Sequence, residues 1–139
     1  MLRTFLTVGL YATSATIALA AGHEEMAPAV TASDQDVSGG TVTAESITAA
    51  ENGWLVVHRT DEEMAPGPVV GYAPLKMGEN MDVSAILQED VASGDMLMLM
   101  VHSEAGGNET GVFEYTLGAT EDGPIRIEDE LVMTTITAQ

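Results

Sequence analysis

Beyond the N-terminal stretch, the apolar residues of this chain come in short runs that never settle into the 3.6-residue spacing of a helix. Trp54-Leu55-Val56-Val57 is one run and Met96 to Val101 is another. Both are bounded by polar or turn-forming residues, and neither is long enough to make an amphipathic helix. Runs of this kind are what buried strands look like. Thr41 to Ala50 is rich in Thr, Val and Ile, then Asn52-Gly53 supplies the strongest short hairpin signal, because a type I′ turn needs φ > 0 at both central residues. The chain returns through Trp54 to Arg59. With Asn52 and Gly53 as the loop, Ala49 opposes Val56 and Ile47 opposes His58, and apolar residues on both faces predict a central strand.

Further strands follow. Val69 to Tyr72, between Pro68 and Pro74, reads as an edge strand, where a missing N–H does little harm. Met81 to Leu87 alternates, with Met81, Val83, Ala85 and Leu87 sharing one side. Asp95 to His102 reads as a buried strand and Val112 to Leu117 as another. Ile125 to Thr137 closes the chain as one long strand or two broken ones. Ala85 to Ala92 is the one segment that reads as a helical turn. About seven short strands predict an all-β fold, an antiparallel β-sandwich of immunoglobulin-like or cupredoxin-like form.

The first residues carry an address. Arg3 precedes an uncharged run from Phe5 to Leu19, and Ala18-Leu19-Ala20 has the small-x-small pattern of a cleavage site. Residues 1–20 therefore read as a signal peptide, 21–40 as a flexible acidic leader without periodicity, and 41–139 as the β-sandwich domain. No cysteine follows the cleavage site to take a lipid, and no later segment approaches the length of a membrane span. The expected location is periplasmic or extracellular.

Charge narrows the partners. The chain has 22 acidic against 4 basic residues and a formal net charge of −18. Nucleic acid and anionic membrane surfaces attract Lys and Arg, which are almost absent here. An acidic surface stays soluble where salt screens charge, so a saline environment fits it. The absence of cysteine excludes disulfides, zinc ribbons, thiol nucleophiles and blue-copper thiolates. No Gly-x-Ser-x-Gly elbow, P-loop or dinucleotide fingerprint is present, and His23-Glu24-Glu25 lacks the second histidine of a zinc-protease helix. No enzyme is expected.

One constellation carries chemistry. In a strand, period 2 puts Met98, Met100 and His102 on one face, and His58 lies on another strand. Thioether sulfur is a soft ligand and imidazole also suits copper, so His58, Met100 and His102 are candidate ligands for Cu(I). Met64 is near enough in sequence to His58 to reach the same region. Methionine at alternate strand positions is also ordinary core filling, and this is the leading reading of the pattern, with copper as the alternative. Glu104, Asn108 and Glu109 offer oxygen ligands in a Gly-rich loop, but without the spacing of a calcium loop.

Several of these strings together resemble a small exported domain of unknown function common in salt-loving archaea and marine bacteria. Trp54-Leu55-Val56-Val57-His58, Pro68-Val69-Val70-Gly71 and Leu75-x-x-Gly78 resemble its first half. The stretch Met98-Leu99-Met100-Val101-His102, a Gly/Asn loop, Val112-Phe113-Glu114-Tyr115 and Asp122-Gly123-Pro124-Ile125 resemble its second. The resemblance spans residues 40–137 and rests on the order and spacing of short motifs. Where that family has an Asp shortly after the second histidine, Ser103-Glu104 stands here. The resemblance implies a sandwich-like all-β domain outside the cytoplasm, places His58 and His102 at motif positions, and implies no activity. The expected function is a non-catalytic exported β-sandwich acting as an envelope binding or interaction module for an unknown protein or small ligand, with no cofactor. The alternative is a periplasmic copper-binding protein using His and Met ligands.

Overall fold

A computed structural model describes residues 26–139. The expected signal peptide and residues 21–25 of the expected leader lie outside them. Among the described residues nine strands form: β1 Ala29–Thr31, β2 Thr41–Ala49, β3 Gly53–Thr60, β4 Val69–Leu75, β5 Gly78–Leu87, β6 Met96–Ser103, β7 Arg126–Ile127, β8 Glu130–Leu131 and β9 Met133–Thr137. Seven make one sheet in the order β1-β2-β5-β4-β3-β6-β9, with every neighbouring pair antiparallel, and β7 pairs with β8 in a separate hairpin. Among the described residues none is helical. The all-β antiparallel expectation holds.

The sheet curls around a single core. Val42, Ala44, Ile47 and Ala49 of β2 are buried together with Leu55 and Val57 of β3, Leu97, Leu99 and Val101 of β6, and Ile136 of β9. Apolar side chains removed from water on this scale are the main favourable term in folding. The curl brings the two ends of the sheet together until it is nearly a barrel. Gln35 bridges Ala138, and the Gln139 N–H donates to the Gln35 carbonyl at 2.9 Å. The Gln35 side-chain amide meanwhile donates to the Thr43 carbonyl at 2.9 Å and accepts from the Thr43 N–H at 2.8 Å. One glutamine thus ties the end of the last strand to β2 and occupies backbone groups that an open edge would leave unpaired. Residues 29–37, within the segment read as a leader, supply β1 and the buried Val37, so the folded part begins before Thr41.

β3 is central, between β4 and β6, as its two apolar faces predict. The hairpin expected at Asn52-Gly53 does not form. β2 pairs with β1 and β5, not with β3, and neither Asn52 nor Gly53 has a positive φ. The Asn-Gly step instead crosses between walls of the curl, with the Asn52 side-chain oxygen accepting the Met77 N–H at 2.9 Å. Gly53 is needed for room rather than for turn geometry, because a Cβ there would collide with the backbone carbonyl of His102.

Other boundaries differ in informative ways. β4 is not an edge strand: it lies between β5 and β3. Its proline is tolerated because β4 and β5 pair only at Gly71–Leu87 and Tyr72–Ile86, so Pro74 faces no β5 partner. Val112 to Leu117 forms no strand and belongs to a long connection between β6 and β7. Ile125 to Thr137 breaks into three short strands where Glu128 and Asp129 take positive φ. The segment read as a helical turn begins inside β5.

The close approach at Gly53 gives a direct test of this packing. Gly53→Ala is expected to destabilise the domain by about 3 kcal/mol in urea denaturation, the cost of overpacking against backbone that cannot yield. Gly39→Ala, where an added methyl meets nothing within 4 Å, should stay within about 0.5 kcal/mol of the parent.

Candidate functional site

The register of β3 on β6 sets Trp54 opposite His102, Val56 opposite Met100 and His58 opposite Met98. Their neighbours Leu55, Val57, Leu97, Leu99 and Val101 belong to the core, so alternation turns these six side chains to the other face. A sheet face opposite the core is ordinarily wet, yet here His58, His102, Val56 and Met98 are 0% exposed and Met100 is 1% exposed. The connection between β6 and β7 helps cover it. Phe113 stacks on Tyr72 at 4.3 Å and meets Trp54 edge-on at 5.4 Å. Tyr115 stands edge-on to His102 at 4.5 Å and to His58 at 5.9 Å.

Asp122 holds that connection in place. Its side chain is fully buried and its φ is +46°, a conformation Asp adopts more readily than most residues. One carboxylate oxygen accepts the Ala105 N–H at 3.1 Å and the other accepts the Glu114 N–H at 2.8 Å. Its own N–H donates to the Ala105 carbonyl at 2.9 Å, and its carbonyl accepts the His102 Nδ1–H at 2.7 Å. His58 is held in the same way from the other side. Its Nδ1–H donates to the Gly67 carbonyl at 2.8 Å, and Gly67 is fixed by its N–H on the Arg59 carbonyl at 2.7 Å. The register of β3 on β4 shifts between Val57 and His58, the kind of irregularity that re-aims a side chain.

These two anchors decide the chemistry. A carbonyl can only accept, so each Nδ1 carries the proton, and a neutral imidazole has only one. Both Nε2 atoms are then bare lone pairs, and they face each other at 3.3 Å. Burial pushes the His58 pKa down, against the smaller raising effect of the Gly67 hydrogen bond. Burial also dominates at His102, lowering it to about 4, with the Asp122 carbonyl opposing and the neighbouring His58 adding to the fall. Both rings are therefore neutral near pH 7. Two unprotonated nitrogens in contact repel unless something positive lies between them.

The candidate ligands read from the sequence separate cleanly. His58 and His102 come together, and Met100 lies on the same face in the row between them. Met64 does not join them: it is 42% exposed in the loop after β3. The oxygen ligands considered for calcium are not arranged for a cation. The backbone N–H groups of Asn108 and Glu109 converge on the Glu114 carboxylate at 2.7 and 3.2 Å, so the loop turns donors inward. β9 extends the histidine face with Met133 opposite Met100 and Thr135 opposite Met98, and the buried Thr135 hydroxyl has no partner. Sequence reasoning missed Asp122, Tyr115 and Met133. Asp122 and Tyr115 fall in strings that carried the resemblance, whereas Met133 had no signal before the β6–β9 register was known. Among the described residues no group of three or more His, Asp or Glu is placed to hold an ion.

A curled antiparallel sheet with a sealed bis-imidazole pair under a loop defines a small all-β domain with a buried polar site. The chain belongs to the family described as a domain of unknown function, DUF7282, whose family model matches residues 28–139. No curated protein matches the chain, and no solved structure does.

Two outcomes are expected from this geometry. Asp122→Ala leaves the part-buried N–H groups of Ala105 and Glu114 without their acceptor and should cost about 1–3 kcal/mol. Hydrogen exchange should then quicken across residues 104–121 ahead of the core strands. The histidines predict acid lability of the domain. The unfolded chain takes up protons below pH 6.5, while folded His102 does so only near 4. Stability is full above the first value and falls towards the second, by on the order of 3 kcal/mol for this residue. Urea midpoints compared between about pH 6.5 and 5, above the carboxylate range, should fall in the parent and stay flatter in a His58→Leu/His102→Leu double variant.

Proposed function

We propose that this domain is a non-catalytic binding module of the periplasm or extracellular space, and that its ligand is a soft metal ion, Cu(I), held by His58, His102 and Met100. The observation that carries the reading is the pair of bare Nε2 atoms facing each other at 3.3 Å, each fixed by a backbone carbonyl behind it. Metal-ligating histidines are oriented in this way, with the distal N–H held by an acceptor.

The separation also speaks to coordination. Two nitrogens at about 2.0 Å from one ion and at a tetrahedral angle stand about 3.3 Å apart, whereas a linear two-coordinate ion needs about 4 Å. A bent pair calls for further ligands. The buried donors that β6 and β9 add on this face are the thioethers of Met98 and Met100 and the Thr135 hydroxyl. Thioether with imidazole favours Cu(I) over the oxygen-loving divalent ions. Full burial suits holding an ion rather than turning over a substrate. The signal-like N-terminus supports an exported location, and the net charge of −18 argues against nucleic acid as a partner.

An interaction role finds support in one further place. Tyr72 and Ile86, paired across β4 and β5, are 38% and 74% exposed beside Pro74, an apolar patch on the outer wall.

Native mass spectrometry of the intact domain, titrated separately with Cu(I), Zn²⁺ and Ca²⁺, tests the copper reading. One Cu(I) per chain is expected, lost in His58→Ala and in His102→Ala variants that keep a β-sheet circular dichroism spectrum. A parent protein that retains no Cu(I) at micromolar concentration, or one that prefers Ca²⁺, overturns it.

A further inference from the structure

A fully buried ion site raises the question of access. His58 and His102 are both 0% exposed, so an ion cannot reach the Nε2 atoms directly from solvent. The register of the sheet supplies a row of soft donors that runs outward. Met100, at 1% exposure, lies on the histidine face between the Trp54–His102 and His58–Met98 pairs. Met133 lies directly opposite Met100 on β9 and is only half-buried. Directly opposed residues of an antiparallel pair have Cβ atoms about 5 Å apart. Two unbranched thioethers at that spacing can reach a common ion, since each swings on three rotatable bonds.

Met133 also opens β9, directly after the β7–β8 hairpin. With Glu128 and Glu130 of that hairpin it lines a shallow surface recess of about 350 Å³. The carboxylates raise the local concentration of cations without binding a soft ion tightly. The order from outside inward is therefore acidic recess, half-buried thioether, buried thioether and imidazole pair.

We infer that Met133, together with Met100, is the exchange station through which Cu(I) passes between solvent and the histidine pair; this rests on the copper reading above. Met133 acts on the rate of loading rather than on the final coordination. A thioether that holds the ion only in passing lowers the barrier to exchange and leaves the bound state unchanged.

Stopped-flow transfer of Cu(I) from its bicinchoninate complex to the intact domain, followed by loss of the complex's absorbance, reads this directly. Met133→Leu keeps volume and apolarity, so the fold is retained. The expected result is an exchange rate at least about tenfold slower, with the equilibrium affinity within about threefold of the parent. Glu128→Gln/Glu130→Gln should slow loading at low salt and have little effect at high salt. An unchanged rate in Met133→Leu overturns the inference while leaving the histidine site intact. A fall in affinity that matches the fall in rate also overturns it, by making Met133 a permanent ligand. Failure of the parent to take Cu(I) at all is a different result, visible in the first titration, and removes the copper reading itself.

Discussion

Two Nδ1–H groups bound to backbone carbonyls impose one constraint on which the outer half of this structure depends. They fix both tautomers and leave two lone pairs opposed at 3.3 Å in a region buried from solvent. A neutral pair in that geometry is repulsive, and a charged one is opposed by burial, which holds both pKa values low. Such an arrangement is uncomfortable as pure packing. Leucine or phenylalanine would fill the same space without an unsatisfied acceptor, and buried polar atoms without partners are rare in natural folds. The carbonyls therefore do more than satisfy the rings: they aim both free nitrogens at one point.

Keeping that point dry requires a second wall on a sheet that already has a core on its other side. Alternation along β3 and β6 buries Leu55, Val57, Leu97, Leu99 and Val101 inward, and Val56, His58, Met98, Met100 and His102 outward. The histidines of the outward set are covered in part by a connection that is not itself a strand. Such a connection carries backbone polar groups that a regular ladder would have paired. Asp122 meets several of these needs with one residue, accepting two N–H groups, exchanging a third bond with Ala105 and presenting its carbonyl to His102. The same residue that folds the cover thus orients the ring beneath it.

This division of labour explains what the sequence made legible. β3 and β6 announced themselves because strands buried on both faces are apolar at every position, and period 2 alone put Met98, Met100 and His102 together. Positions governed by long-range contact were opaque. Asn52-Gly53 carries the signal of a tight hairpin, but its glycine serves the approach of the His102 carbonyl, a contact 49 positions along the chain. Val112 to Leu117 has strand composition, yet Phe113 and Tyr115 are aromatic for the sake of the rings they cover. Pro74 read as the mark of an edge because local sequence cannot show where a ladder between two neighbours stops. The histidines themselves sit four positions apart in register, and only the bulge beside His58 and the two carbonyl anchors bring their Nε2 atoms into contact.

A contrast between surface and interior gives the site its character. The chain carries 22 carboxylates, so a hard cation meets oxygen ligands everywhere on the outside and has no need of a buried pair. The histidine face offers sulfur, imidazole and threonine hydroxyls, and no residue that β3, β6 or β9 places on it carries a carboxylate. Under the copper reading proposed above, selectivity comes from exclusion as much as from affinity: oxygen-seeking ions stay at the surface, and a soft ion is stabilised where the carboxylates stop. On that reading, a chain so rich in acid and so poor in lysine gathers cations without discrimination outside and sorts them by softness within.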